Sequence, residues 1–212
     1  MKPLDTGAAD AAGFAAGYVI GSVPVGLLLG RLLRGLDVRE HGSHSIGTTN
    51  VLRLVGPSAA ALTFGLDVAK GSAAVLVARR LGAGPVGQAA AGFGAMVGHS
   101  WPVFARFRGG KGVATGFGAI LLVSPQGTGA AIVSGLTALG ATRIVSVASL
   151  TACAGAVAGA AFESRRTGNP VPLAFTALAA SLITVRHAAN LRRLMRGDEP
   201  RVSLGRQRQR PL

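Results

Sequence analysis

Acidic residues are scarce in this chain. Eight Asp and Glu stand against 22 Lys and Arg in 212 residues, and no acid lies between Gly71 and Phe162. Charge of either sign is missing from 11–30, 81–105, 112–142, 144–162 and 167–185. A soluble domain would scatter charges at helical spacing over its exposed faces, so these blanks exclude one. A helix rises about 1.5 Å per residue, and about 20 residues cross a hydrocarbon core. Aromatics are also few, with one Trp and one Tyr. That removes the stacking surface a single-stranded nucleic acid needs. The net charge of +14 then speaks for topology and contact with anionic membrane lipids, not for nucleic acid. A single cysteine, Cys153, excludes an internal disulfide framework and reads as a small core residue.

What the chain has in plenty is glycine, 32 residues of it, with much alanine. Small residues let helix backbones approach closely. The expected architecture is all-α: a polytopic membrane protein, a compact bundle of about seven transmembrane helices. Residues 1–200 form a single domain in this reading, and 201–212 a basic tail. The first span covers 11–33; Asp5 and Asp10 precede it, and it is too long for a secretory signal. The second, 54–77, carries Asp67 and Lys70 three apart on one helix face. The third covers 84–104, and the last two 144–162 and 170–187.

The stretch 112–142 holds 31 uncharged residues, too many for one straight span. Ser124-Pro125-Gln126-Gly127 is a turn signal in its middle. Two short crossings put sixteen basic residues on one face and five on the other, with Lys70 inside a span. A single crossing would separate the basic tail from the basic loops. The positive-inside rule therefore gives seven spans, an outside N-terminus and a cytoplasmic C-terminus. The halves of 112–142 are short, which implies tilt or local thinning.

Three segments then share the cytoplasmic face. The first, 34–53, offers hydroxyls at Ser43, Ser45, Thr48 and Thr49, an amide at Asn50 and a guanidinium at Arg53. Thr49 or Asn50 is placed to cap the second span, whose N-terminus would be an anion site. His41 and His44 lack the further ligands of a metal site. The second segment runs from His99 to Gly109-Gly110-Lys111-Gly112, a phosphate cradle of backbone N–H groups and one ammonium. It is not a Walker A loop, since Ala105 and Gly112 occupy positions that motif needs otherwise. In the third, His187 and Asn190 lie three apart. A rival reading makes Asp67 and Lys70 the gate of a small transporter or anion pore, because charges inside spans are functional candidates.

Taken together, these segments resemble the bacterial membrane acyl-phosphate:glycerol-3-phosphate acyltransferases, the PlsY family. The likeness starts at Gly21-Ser22-Val-Pro24-Val-Gly26 and continues through R-E-H-G-S at 39–43, I-G-T-T-N-V at 46–51 and Arg53. It goes on through Asp67-x-x-Lys70-Gly71, Gly98-His99-x-x-Pro102 and Gly109-Gly-Lys-Gly-Val-Ala-Thr115, ending in the 186–199 tail. Two departures stand out. The family usually reads S-G-N where this chain has Ser43-His44-Ser45, and Arg-Glu where it has Ala188-Ala189.

The resemblance implies transfer of a fatty acyl group from acyl phosphate to the 1-hydroxyl of glycerol 3-phosphate, giving lysophosphatidic acid and phosphate. It implies a multi-pass protein of the bacterial inner membrane and requires neither metal nor organic cofactor. Carried over, Ser43, Arg53, His99, His187 and Asn190 are the catalytic candidates, with Ser43 either a nucleophile or an orienting group. Thr49, Asn50, Gly109, Gly110, Lys111 and Gly112 bind substrate, and Asp67, Lys70 and Glu199 are structural.

Overall fold

The computed structural model describes residues 6–202, so most of the expected tail, 201–212, lies outside the described residues. Among those residues the regular elements are all helical. They are α1 (Thr6–Gly21), α2 (Val25–Arg34), α3 (Thr48–Leu54), α4 (Pro57–Arg80), α5 (Pro85–Ser100), α6 (Val113–Val123), α7 (Pro125–Thr142), α8 (Val145–Thr167), α9 (Val171–Arg186) and α10 (Ala188–Arg196). The expected spans correspond to α1 with α2, then α4, α5, α6, α7, α8 and α9. Three pass as membrane spans on length and apolarity alone: Asp10–Arg34, Pro57–Arg80 and Val145–Thr167. The pair α9 and α10, bent by 61°, passes the same test when the two are counted together as one broken span.

Four of the departures from the expected boundaries have a local reason. The first span is broken at 22–24, where Pro24 cannot donate a backbone hydrogen bond. The second starts at Pro57 with Gly56 as its N-cap, so neither Thr49 nor Asn50 caps it. Both instead belong to the separate short helix α3. The third ends at Ser100, and a 3₁₀ turn follows at Val103–Ala105. The stretch 112–142 does divide at the Ser-Pro signal, but unequally, into helices of 11 and 18 residues. Pro125 opens α7, and the Ser124 hydroxyl both accepts from Gly127 N (3.1 Å) and donates to Glu163 on α8 (2.6 Å). At about 1.5 Å per residue, α6 is only about 16 Å long. It is half the thickness of a hydrocarbon core.

Glycine sets the close helix contacts. On α1, a Cβ at Gly17 or Gly21 would collide with the carbonyls of Ala91 and Ala95 on α5. Reciprocally, Gly94 and Gly98 of α5 sit on the carbonyls of Phe14 and Tyr18. The same device joins α4 and α6, through Gly71 on the Thr115 carbonyl and Gly118 on that of Val68. Without Cβ atoms, backbones pack within van der Waals reach, the main attraction available between helices in lipid. One apolar cluster, around Val75, Met96, Ile120, Phe175 and Ile183, fills the middle of the bundle. A second, around Leu27, Val38, Ile46, Val51 and Ala105, lies beneath the first polar loop.

Candidate active site

The three polar segments converge on one cavity of about 460 Å³, bounded by α3, α4, the end of α5, and the starts of α6, α8 and α10. Its wall includes Ser43, Thr49, Asn50, Arg53, Asp67, His99, Lys111, Gly112, His187, Asn190 and Glu199. Of the residues expected there, Gly109, Gly110 and Lys70 lie behind the wall.

The first loop is built around Asn50, which is 1% exposed. Its amide donates to the carbonyls of Val38 (2.7 Å), Ser45 (2.9 Å) and His41 (3.2 Å). Its oxygen accepts the Ser43 N–H at 2.9 Å. That oxygen occupies the space a Cβ on Gly42 would need, and Gly42 has φ +62°, so glycine is demanded twice over. Ser43 is thereby fixed at the cavity edge, and its hydroxyl makes no hydrogen bond among the described residues. Arg53, in the last turn of α3, likewise keeps its guanidinium free of partners among them. His44 adopts φ 52°, the left-handed region where the related motif usually has Gly. Its Nδ1 donates to the Arg39 carbonyl (3.0 Å), which offsets the backbone cost.

Arg39 ties the first loop to the second. It is 7% exposed and pairs with Asp37 (2.6 Å), while its other arm reaches the Ala105 carbonyl (2.7 Å). The Arg39 hydrogen bond holds the Asp37 carboxyl well below the usual carboxylate range, against the opposing effect of burial.

Gly109 and Gly110 permit close approach: a Cβ on Gly109 would strike the His99 carbonyl. Gly110 N donates to the His99 carbonyl (3.0 Å), and a Cβ on Gly110 would strike His99 Nε2. Arg186 clamps the same loop by donating to the Gly110 carbonyl (3.0 Å) with its guanidinium 5.1 Å from the centre of the Trp101 ring. Gly112, with φ +78°, then turns the chain into α6. Lys111 projects into the cavity and donates to Asn190 Oδ1 (2.5 Å). Asn190 passes its own N–H to Glu199 Oε1 (2.5 Å), which also accepts from Ser146 (2.7 Å), while Arg193 holds Oε2 (2.7 Å). Burial lowers Lys111 to about 8, against an upward pull from Glu199 and with help from Arg193, Arg53 and Arg186. Burial opposes ionisation of Glu199, yet its hydrogen bonds from Asn190, Ser146 and Arg193 outweigh that and bring it below its ordinary value.

Asp67 and His99 form the floor of the cavity, with Lys70 buried behind them. Asp67 pairs with Lys70 at 2.8 Å, and Lys70 Nζ lies 2.9 Å from His99 Nδ1. On the opposite side His187, 2% exposed, closes α9 and donates from Nδ1 to the Ile183 carbonyl (2.8 Å). Its Nε2 is therefore the acceptor nitrogen. Next to this polar chamber, and sharing Val113 and Ser149 with it, an apolar cleft runs between α6, α7, α8 and α9 past Ile120, Ala156 and Phe175.

The sequence reading missed Arg186, Arg193, Ser146 and Ser149. For Ser146 the only signal was polarity just after Arg143, at the basic end of an apolar span. Serines in helices often bond back to their own backbone, as Ser149 does to Val145 (2.9 Å), so that signal was ambiguous. The Ala188 and Ala189 departures are both exposed and leave the cavity wall untouched.

The family model for glycerol-3-phosphate acyltransferase matches residues 11–197. A glycerol-3-phosphate acyltransferase of Anaeromyxobacter dehalogenans strain 2CP-C is 47% identical over 192 residues, covering 89% of this chain and 94% of that protein. One from Rubrobacter xylanophilus is 48% identical over 185 residues, 86% and 90% of the two chains. Among solved structures, PlsY (YgiH), an integral membrane glycerol 3-phosphate acyltransferase, superposes in its glycerol 3-phosphate form with a TM-score of 0.82 at 34% identity, over 92% of this chain and 96% of that one. Its lysophosphatidic acid form gives 0.79 at 33% identity, over 92% and 95%.

Proposed function

The chain belongs to the glycerol-3-phosphate acyltransferase family, and from that premise we propose that it moves a fatty acyl group from acyl phosphate to the 1-hydroxyl of glycerol 3-phosphate. It is an integral membrane acyltransferase of phospholipid synthesis; the donor, the residue roles and the orientation are the proposed part. The observation that carries the reading is a chamber holding Arg53, Lys111 and Arg193 that opens beside an apolar cleft. A substrate pair with two phosphates and one acyl chain needs that combination. A transporter gate at Asp67 and Lys70 does not account for it, since the two are closed on each other and on His99.

Acyl phosphate is a mixed anhydride with a good leaving group, so the enzyme's task is mostly to bring hydroxyl and carbonyl within about 3–3.5 Å. The acyl chain occupies the cleft between α6 and α9. Arg53 and Lys111 hold phosphate, with Thr49 and Ser43 as neutral partners at the rim. Asn190 and Glu199 orient the Lys111 ammonium. The glycerol 3-phosphate hydroxyl oxygen attacks the acyl carbonyl, and its proton passes to the His187 Nε2 lone pair. The bond to the phosphate oxygen then breaks and phosphate leaves, its charge met by Lys111 and Arg53. Ser43 orients a substrate in this scheme, because no base among the described residues touches its hydroxyl. No step calls for a metal or organic cofactor.

Purified protein given labelled glycerol 3-phosphate should form lysophosphatidic acid with acyl phosphate and far less with acyl-CoA. Equal or faster turnover with acyl-CoA would defeat the donor assignment.

We infer a bacterial inner-membrane location with the chamber on the cytoplasmic face, a reading supported by sixteen basic residues on that side against five. In a Cys153→Ala background, Ser203→Cys should resist a membrane-impermeant thiol reagent in intact cells, and Arg79→Cys should react. The reverse pattern overturns the orientation.

A further inference from the structure

We propose that Lys70 is a positioning residue that holds His99 as the tautomer with its proton on Nε2, giving the cavity a fixed hydrogen-bond donor and not a base. This inference rests on the acyltransferase reading for its kinetic consequence, while its structural content stands by itself.

Lys70 is 7% exposed on α4, and its ammonium meets three groups. Asp67 Oδ1 lies at 2.8 Å, the Val23 carbonyl at 3.1 Å and His99 Nδ1 at 2.9 Å. An ammonium has three donors and no lone pair. Whatever faces it must therefore accept, so Nδ1 turns its lone pair toward Lys70 and the ring proton resides on Nε2. The other conceivable partner for a protonated Nδ1 is Asp67 Oδ1, at 3.6 Å, which is beyond hydrogen-bond length. Asp67 already neutralises Lys70, so the trio carries no net charge. The Val23 carbonyl anchors this arrangement to the break between α1 and α2, which gives Lys70 a fixed origin on three separate elements.

Nε2 itself makes no hydrogen bond among the described residues. It edges against Gly110, which lies behind the wall immediately before Lys111, while His99 itself lines the cavity. His187 has the opposite polarity, since its Nδ1 donates to Ile183 and leaves Nε2 to accept. The two buried imidazoles thus divide the work: His187 takes the hydroxyl proton, and His99 donates to phosphate or to the developing oxyanion. A donor fixed before the reaction needs no rearrangement when charge develops, which is where such groups contribute most.

The test uses full-length protein in lipid nanodiscs with ¹⁵N-labelled histidine. Two-bond ¹H–¹⁵N correlation spectra report which ring nitrogen carries the proton, and His99→Ala assigns the His99 signals by their loss. The wild-type protein should show His99 protonated on Nε2 alone. Lys70→Met should mix the tautomers and lower kcat about tenfold or more, with KM for glycerol 3-phosphate changing little. Combining Lys70→Met with His99→Ala should be no worse than His99→Ala alone. A wild-type His99 protonated on Nδ1 or on both nitrogens overturns the proposal, as does an unchanged tautomer in Lys70→Met or additive losses in the double variant. Lys70→Met leaves Asp67 buried without its partner. If it fails to fold, the Asp67→Asn, Lys70→Met pair removes both charges together and takes its place. The wild-type spectrum needs no substrate, so it decides the tautomer even if the acyl donor proves to be another.

Discussion

Lys111→Ala should lower kcat/KM for glycerol 3-phosphate about ten- to hundredfold while the protein stays folded in detergent. The aim of its ammonium is set by a built relay, from Glu199 through Asn190. Losing a charge-assisted hydrogen bond costs about 1.5–3 kcal/mol, and each 1.36 kcal/mol is about tenfold in rate. A second readout follows from its lowered value of about 8. The charged form is the one that binds phosphate, so that charge is present below this pH and is lost as the pH rises through it. Glycerol 3-phosphate is already a dianion there, since its second ionisation lies near 6. KM should therefore climb above about pH 8 in the wild type, and the climb should vanish in Lys111→Ala. Bound phosphate favours the ammonium, so kcat should be less sensitive than KM over the same range. Wild-type affinity and turnover in a folded Lys111→Ala protein would show that this lysine only anchors the loop to headgroups.

The order of helices was readable because most spans are bounded by charge: Arg34, Arg53, Lys111, Arg143 and Arg186 all sit at or beside helix ends. Ser124-Pro125 was readable because proline cannot continue a helix. Pro24 carries the same signal at 22–24, but the span was drawn on hydropathy, which continues across the break and does not sense a missing N–H. The short helix α3 was hidden for a related reason. Its seven residues, Thr48–Leu54, look like the start of the span that follows until Gly56 (φ 128°) separates them. Site membership was legible where residue types were unusual for their place, as with Asp67, Lys70 and His99. It was not legible for Arg186, which looks like any basic residue at a span end. Only the fold shows that its guanidinium lies on Trp101 and holds Gly110. Glu199 was visible as a carboxylate, but its closeness to Ser146 depends on the chain after α10 returning to α8, where Val202 N meets the Arg143 carbonyl (2.7 Å).

Asn50→Ala should abolish more than about 99% of activity, through the loop and not through a lost substrate contact. Each of its four hydrogen bonds contributes roughly 1 kcal/mol net, and the carbonyls left behind in a buried loop cost more still. The sum is about 3–4 kcal/mol by that scale, enough to unfasten residues 38–50 locally. Ser43 would then leave the cavity edge, and Arg53, on the helix that carries Asn50, would lose its aim. The central apolar cluster around Met96 and Phe175 does not include this loop, so the bundle should persist. Limited proteolysis should accordingly cut Asn50→Ala within 34–47 under conditions that leave the wild type whole. Asn50→Asp makes the distinction sharper. It keeps an oxygen to accept from Ser43 N but turns the other oxygen toward the carbonyls of Val38, His41 and Ser45, where only a donor fits. It should therefore be as inactive as the alanine variant or worse. A direct substrate ligand behaves otherwise: its loss raises KM, spares kcat and leaves the loop as resistant to protease as before. That pattern in Asn50→Ala would return Asn50 to the binding surface and remove it from the framework.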